Sequence, residues 1–371
     1  MDGFRDRIVS GLPFPIFQTS TGMNVKTTAL IAAAVFFGLF LCTNPSTTHA
    51  QDSIKRRKLP QGNSGIASHY PGDAGISRHK SVVFVENFND DLKTIVSRWD
   101  AVRAEDDLSL SKQVPLRSTG GKSLLVTHTG GRGVGPHLYR RLSPGYKQLH
   151  FRFYVKFDRE CAPIHHFFHV GGYNPATVWP QGGAGSRPRG DKRFTTGVEP
   201  FGENWRWDYY SYWMNMRGSP PRGQFWGNSF IHDESIKVTK GKWQCLELMI
   251  KVNDVGSSNG EMAFWLDGRL VSHLGQGFPK GKWVFTRFLP GRGGEGVQWS
   301  DAQKKPVTVR FPPGGKPFEG FRWRSDEKLQ LNFVWLLCYI TKSPRGRTNK
   351  ICFDDIVVAK EYIGPISPID E

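Results

Sequence analysis

Between Trp205 and Asn228 the chain reads WRWDYYSYWMNMRGSPPRGQFWGN, a run of side chains that can stack, donate hydrogen bonds and titrate. Read with a period of two, Trp205, Trp207, Tyr209, Ser211, Trp213, Asn215 and Arg217 share one face. Arg206, Asp208, Tyr210, Tyr212, Met214 and Met216 share the other, because successive side chains of a strand point to opposite sides. A strand that only filled a core would not carry Arg, Asp, Asn, Ser and so many phenols. Rings of this kind stack on sugar faces, and phenols and guanidiniums bind polar or charged ligands. The competing reading is a wide sheet packing these rings under a loop, since burial is the commoner fate of Trp and Tyr. The stretch is expected to floor a binding groove.

Other groups able to do chemistry are scattered along the chain. In LHFRFYVKF, Arg152, Tyr154 and Lys156 share one face, opposite Phe151, Phe153, Val155 and Phe157. In IHHFFHVGG, alternation puts His165 and His169 with Phe167, and His166 opposite. In WQCLELMIKV the apolar set Leu246, Leu248, Ile250 and Val252 leaves Cys245, Glu247, Met249 and Lys251 pointing away from the core. Lys251 and Glu247 either line the groove or form a solvated pair worth under about 1 kcal/mol. Arg322 and Arg324 sit where a loop meets a strand, placed to grip carboxylates bidentately or simply to lie on the surface.

The elements that must position these groups are strands. The chain has 371 residues with 42 Gly, 24 Pro and 13% aromatics, which leans all-β because turns consume Gly and Pro while strands favour aromatics. No long segment repeats every 3.6 residues. Strands are expected at SVVFVENF from Ser81, then near 123–129, 149–157, 164–172, 243–252, 329–340 and 350–364. EMAFWLDGRLVSHL reads as a hairpin turning at Asp267-Gly268. Residues 275–325 and 173–204 are expected to be long loops, the first a wall or lid to a groove or a mobile decoration. The fold class is an all-β antiparallel two-sheet sandwich, or jelly roll, over residues 81–364, with a short tail at 365–371.

Residues 23–50 read as an export signal: Lys26, an apolar run from Ala29 to Leu41, and Thr48-His49-Ala50 before Gln51. The run is short for a membrane span, which needs about 20 residues. Met23 is an alternative start, with residues 1–22 carrying no pattern of their own. Residues 51–80 are polar, basic and rich in Gly and Pro, and are expected to be a disordered linker. A secreted or periplasmic monomer follows, without stable membrane insertion. The formal charge of +17 attracts polyanions; export argues for acidic polysaccharide as partner rather than nucleic acid. Cys161, Cys245, Cys338 and Cys352 show no zinc-finger spacing, and three disulfide pairings are open to them.

Three blocks carry a family resemblance: Tyr210-Ser211-Tyr212-Trp213 with Met216-Arg217 and Phe225-Trp226-Gly227-Asn228; Lys242 to Glu247 followed by Leu266-Asp267-Gly268; and Phe353-Asp354-Asp355-Ile356-Val357-Val358 ending in Tyr362-Ile363-Gly364. Together they resemble jelly-roll polysaccharide lyases of the alginate and glucuronan lyase type, in the concanavalin A-like group. The resemblance implies a concave groove and elimination across a uronate. Such an enzyme must neutralise the C5 carboxylate, remove the C5 proton and protonate the leaving O4, each proton transfer contributing about 10²–10⁴-fold. It points to Tyr210 and Tyr212, and the residue types and faces read above add Arg206, His165 and Lys251 to the candidate catalytic group. Arg152, Tyr154, Lys156, Trp213, Trp226, Asn228, Glu247, Arg322 and Arg324 would bind substrate. It also implies a structural Ca²⁺ held by Glu86, Asp354 and Asp355. Two departures stand out. The Arg-x-Glu-x-Arg motif of alginate cleavage is missing, and so is the Glu-x-Asp-x-x-Glu of retaining glycosidases. A non-catalytic lectin-like module of the same fold is the alternative.

Overall fold

The structure is a computed structural model and describes residues 57–180 and 182–368. The expected export signal therefore lies outside the described residues. In chain order the strands are β1 (Val82–Glu86), β2 (Ala101–Arg103), β3 (Leu108–Ser111), β4 (Ser123–Thr129), β5 (His137–Tyr146) and β6 (Gln148–Phe157). They continue as β7 (His166–Tyr173), β8 (Arg193–Phe201), β9 (Arg206–Tyr209), β10 (Gln244–Lys251), β11 (Glu261–Leu266) and β12 (Arg269–Leu274). The last are β13 (Lys280–Val284), β14 (Arg287–Pro290), β15 (Gly294–Ser300), β16 (Lys305–Phe311), β17 (Lys316–Pro317), β18 (Leu331–Tyr339) and β19 (Thr348–Ala359).

Two large antiparallel sheets face each other. One runs β12-β11-β10-β6-β19-β4-β3 with β1 also on β19; the other runs β2-β5-β18-β7-β8-β9. Alternation explains why they stack. Phe151, Phe153, Val155, Leu246, Leu248, Ile250 and Phe264 of the first sheet meet Phe167, Phe168, Val170, Val198, Trp207 and Leu336 of the second in one buried cluster. At about 25 cal/mol per Å² of apolar surface, this layer is the main stabilising element of the domain. The Asp267-Gly268 hairpin is present between β11 and β12, with φ of 50° and 76° at its two central residues. Only an Asn, Asp or Gly pair adopts that left-handed turn cheaply, which is why the dipeptide was legible.

Three expectations are corrected. Residues 57–80 are not a linker: short 3₁₀ turns at Ile66–His69, Pro71–Asp73 and Ile76–Arg78 form a strap. Ile66, Ala67 and Ile76 pack on Val357, Ala359 and Ile363, and Leu59 packs on Met249, Trp265 and Tyr362. The few apolar residues in a polar stretch sufficed, because the outer face of the first sheet offered them partners. Residues 275–325 fold as a third sheet, β14-β13-β15-β16 with β17 on β13. Its Trp283, Phe288 and Phe318, with Phe321 and Trp323 beyond it, join the main core. Residues 173–204 contain β8, paired with β7 over six residue pairs from Phe168↔Val198 to Tyr173↔Arg193. Cys161, Cys245, Cys338 and Cys352 are all buried free thiols. Among the described residues no helix is long and apolar enough to cross a membrane.

Candidate functional site

The β2-β5-β18-β7-β8-β9 sheet turns its other face outward, and that face collects the chain's titratable aromatics. In β9 and the segment after it, Trp207 and Tyr209 point into the core, whereas Tyr210 is half-buried on the outward face. Tyr212 follows it there, held by its backbone pairing with Thr195. The two phenol oxygens are 3.2 Å apart. The Tyr210 ring lies parallel to His169, at 5° and 6.0 Å, and 4.8 Å from His166. Gly227 covers this ring so closely that a Cβ there would come within 2.4 Å of it. That accounts for the glycine of Trp226-Gly227-Asn228.

Beneath the phenols lies a histidine–carboxylate array. Glu199 Oε1 accepts from His166 Nδ1 at 2.7 Å and from His169 Nε2 at 2.9 Å. Simple alternation fails in this strand. The β18–β7 register shifts between Leu336 and Tyr339, and both Phe167 and Phe168 face the core. His166 and His169 therefore share the cleft face, not His165 and His169. His165 stands at the exposed end, 4.4 Å from His166, its Nδ1 3.4 Å from the Thr341 hydroxyl. Gly197 sits opposite His169, where a Cβ would come within 2.7 Å of the imidazole.

Along the same face, His137 lies 5.6 Å from Trp335 and 5.9 Å from Trp179, and the Arg103 guanidinium is 3.9 Å over Trp179. Arg193 lies 5.6 Å over the Tyr212 ring, its Nη2 donating to the carbonyls of Gly183 and Ser186. Trp226 is 46% exposed at the rim. Arg187, Arg189, Lys192 and Arg193, with Tyr173, line an adjoining cavity of about 530 Å³.

The electrostatics follow from burial. Burial pushes the Tyr210 phenol well up, helped by the charge and hydrogen bond of Tyr212. Tyr212 is also raised by burial, but the hydrogen bond donated by Tyr210, the Gly185 backbone and the Arg193 charge all work against that rise. Burial lowers His169, and lowers His137 to about 4 with help from Arg103. Burial opposes the charge on Glu199, yet the hydrogen bonds and charges of His166 and His169 outweigh it and hold the carboxyl below its ordinary value.

The structure separates the remaining candidates from this cleft. Arg206 is not beside the phenols; it pairs with Asp208 at 3.2 Å and with Glu234. Trp213 is fully buried, its Nε1 bonded to Asn228 Oδ1, and Asn228 also accepts from the Arg217 N–H. Both are structural. Arg152, Tyr154 and Glu247 lie on the outer face of the other sheet, under the strap. Arg152 is fully buried against Asp73, the Ile366 N–H donates to the Tyr154 hydroxyl, and Glu247 accepts from the Ile363 and Gly364 N–H groups. Lys156 donates to Gln113, and Lys251 pairs with Glu261 at 2.8 Å. Arg324 is buried, capping the carbonyls of Asn253, Glu327 and Leu329, while the Arg322 carbonyl accepts from the Met214 N–H. Alternation predicted which faces these residues occupy, but not which sheet face stays open.

Of the residues expected to hold Ca²⁺, Glu86 is already paired. Both Glu86 oxygens are taken by Arg98, which also reaches Asp90, and one accepts from the Phe88 N–H. Asp354 and Asp355 lie near the buried Arg152, across a bulge where Asp355 has φ of 45°. Burial and the charge of Asp355 raise Asp354 to about 9, and burial raises Asp355 to about 6. Asp354 Oδ2 and Asp355 Oδ2 are buried without a hydrogen-bond partner.

Fold and site together define a two-sheet antiparallel β-sandwich of the jelly-roll kind, with an open face lined by phenols, imidazoles and one buried carboxylate. Solved structures it is similar to include the marine PL-14 alginate lyase from Aplysia kurodai, at 13% identity and TM-score 0.49, covering 76% of this chain and 99% of that one. Alginate lyase vAL-1 from Chlorella virus gives 12%, 0.46, 75% and 99% in the same order. The endo-β-1,4-glucuronan lyase from the fungus Trichoderma reesei gives 15%, 0.42, 76% and 96%. No protein-family profile and no curated protein matches the chain.

Proposed function

We propose that this chain is an exported polysaccharide lyase that breaks an acidic, uronate-containing polymer by β-elimination. The observation that carries the reading is the phenol pair: Tyr210 and Tyr212 meet at 3.2 Å on the open face, with Arg193 over Tyr212. The hydrogen bond from Tyr210 and the cation beside it make Tyr212 the better phenolate. Tyr212 then takes the C5 proton, the C–H electrons form the C4=C5 double bond, and the C4–O4 bond breaks. Tyr210 gives its proton to the departing O4. The proton on Tyr212 crosses to Tyr210 over the 3.2 Å contact, restoring both groups.

Trp226 offers a flat face for a neighbouring sugar, and Arg187, Arg189 and Lys192 form a cationic rim for a polyanion. Export rests on the leader at residues 23–50, with cleavage after Ala50. Incubation with a panel of acidic polysaccharides, followed by ultraviolet absorbance of unsaturated uronate ends, tests the reaction. Binding of a polymer without any absorbance change would replace it with the lectin-like module.

A further inference from the structure

One carboxylate on the open face has no fixed cation beside it. Glu199 is 3% exposed, and its ion-pair partners are the two imidazoles alone; among the described residues no Lys or Arg pairs with it. Burying a carboxylate is costly unless a positive charge or a metal ion meets it. The nitrogen atoms of His166 and His169 and the oxygen of Glu199 all lie within 4.8 Å of one another. His169 Nδ1 is buried without a hydrogen-bond partner, so it can carry the ring proton when Nε2 turns its lone pair to an ion in place of the bond to Glu199. The His166 side chain is 23% exposed, which leaves one side of the array open to the cleft.

We propose that His166 Nδ1, His169 Nε2 and Glu199 Oε1 bind a divalent first-row cation, Zn²⁺ foremost, with the fourth position open to the cleft. Two imidazoles and one carboxylate are a donor set that suits Zn²⁺, whereas Ca²⁺ takes six to eight oxygens. Zinc–ligand bonds of about 2.0–2.2 Å in a tetrahedron set neighbouring donors roughly 3.4 Å apart. The present contacts of 2.7 and 2.9 Å hold a proton between each pair. An ion replacing those protons widens each contact by roughly half an ångström, a shift that a small rotation of the exposed His166 supplies. The open position lies beside Tyr210. Resting on the elimination reading, it would take an oxygen of the uronate carboxylate and neutralise it before the C5 proton leaves.

Untagged full-length protein, stripped with chelator and dialysed, is titrated with Zn²⁺ by calorimetry and with Co²⁺ by visible absorption. The expected result is one ion per chain at micromolar or tighter affinity, with the intense bands of four-coordinate cobalt. His166→Ala and Glu199→Gln should each weaken uptake at least roughly tenfold by removing one of three ligands. Melting curves confirm that they fold; should Glu199→Gln not fold, the variant at the partly exposed His166 still decides. No uptake by the parent protein, or uptake unchanged in His166→Ala, overturns the inference. Zinc bound without elimination on any polymer keeps the site and removes the lyase reading. Full elimination by metal-free protein keeps the lyase reading and overturns the ion's part in it.

Discussion

Replacing Tyr212 with Phe separates proton transfer from packing. The ring is 94% buried in effect, with 6% relative exposure, and Phe keeps all of that contact. What is lost is one hydroxyl and the 3.2 Å hydrogen bond from Tyr210, a change worth about 0.5–1.5 kcal/mol of stability. In a domain of this size that lowers Tm by only a few degrees. The base itself is worth more: about 10²–10⁴ in rate, or about 2.7–5.5 kcal/mol of barrier. The variant should therefore melt nearly normally, hold polysaccharide at unchanged affinity, and lose kcat by about 10² or more. The pH profile gives a second readout. Burial raises the Tyr212 phenol, so the phenolate fraction, and with it the parent's rate, should climb with pH beyond neutrality. Tyr210→Phe should lose turnover by a similar factor, since it removes both the acid and the bond that favours the phenolate. The assay is initial rate by ultraviolet absorbance against substrate concentration and pH. Normal turnover in both variants would refute the reasoning and leave this strand as a sugar platform.

Arg193→Gln should lower kcat by roughly tenfold or more, because it removes the charge over Tyr212, whereas Arg206→Gln should leave kcat within about threefold; rates on the same polymer check both. Asp73→Ala leaves the fully buried Arg152 without its ion-pair partner, and should cost about 3–5 kcal/mol, read as a fall in Tm. Burial holds Asp354 at about 9 and Asp355 at about 6, above the ordinary value of 3.8, so the native state holds protons that the unfolded chain has released. Stability from this pair is complete below about pH 4 and is lost as pH rises through about 6 and about 9. Asp354→Asn should flatten that slope in denaturant titrations run between those limits. A slope that is unchanged would show that the cluster titrates elsewhere.

By itself the sequence determined the period-two elements and the turns between them. Phe151 to Phe157, Leu246 to Ile250 and the Asp267-Gly268 turn needed no partner to be read, because alternation and left-handed turn chemistry are local properties. It also set the pairing of Tyr210 with Tyr212 and their separation from the Trp207–Tyr209 face. Tertiary structure decided which faces stay open. Arg152, Tyr154 and Glu247 have the residue types of a groove, but the strap of residues 57–80 and the segment around Ile363 cover them, and sequence alternation carries no record of what lies on top of a sheet. The array of His166, His169 and Glu199 was hidden for two further reasons. A register shift broke the alternation at Phe167–Phe168, and Glu199 arrived from a strand 30 residues away in sequence from His169. A bulge is a property of two paired strands, and a convergence of side chains is a property of a sheet; neither exists until the strands have met.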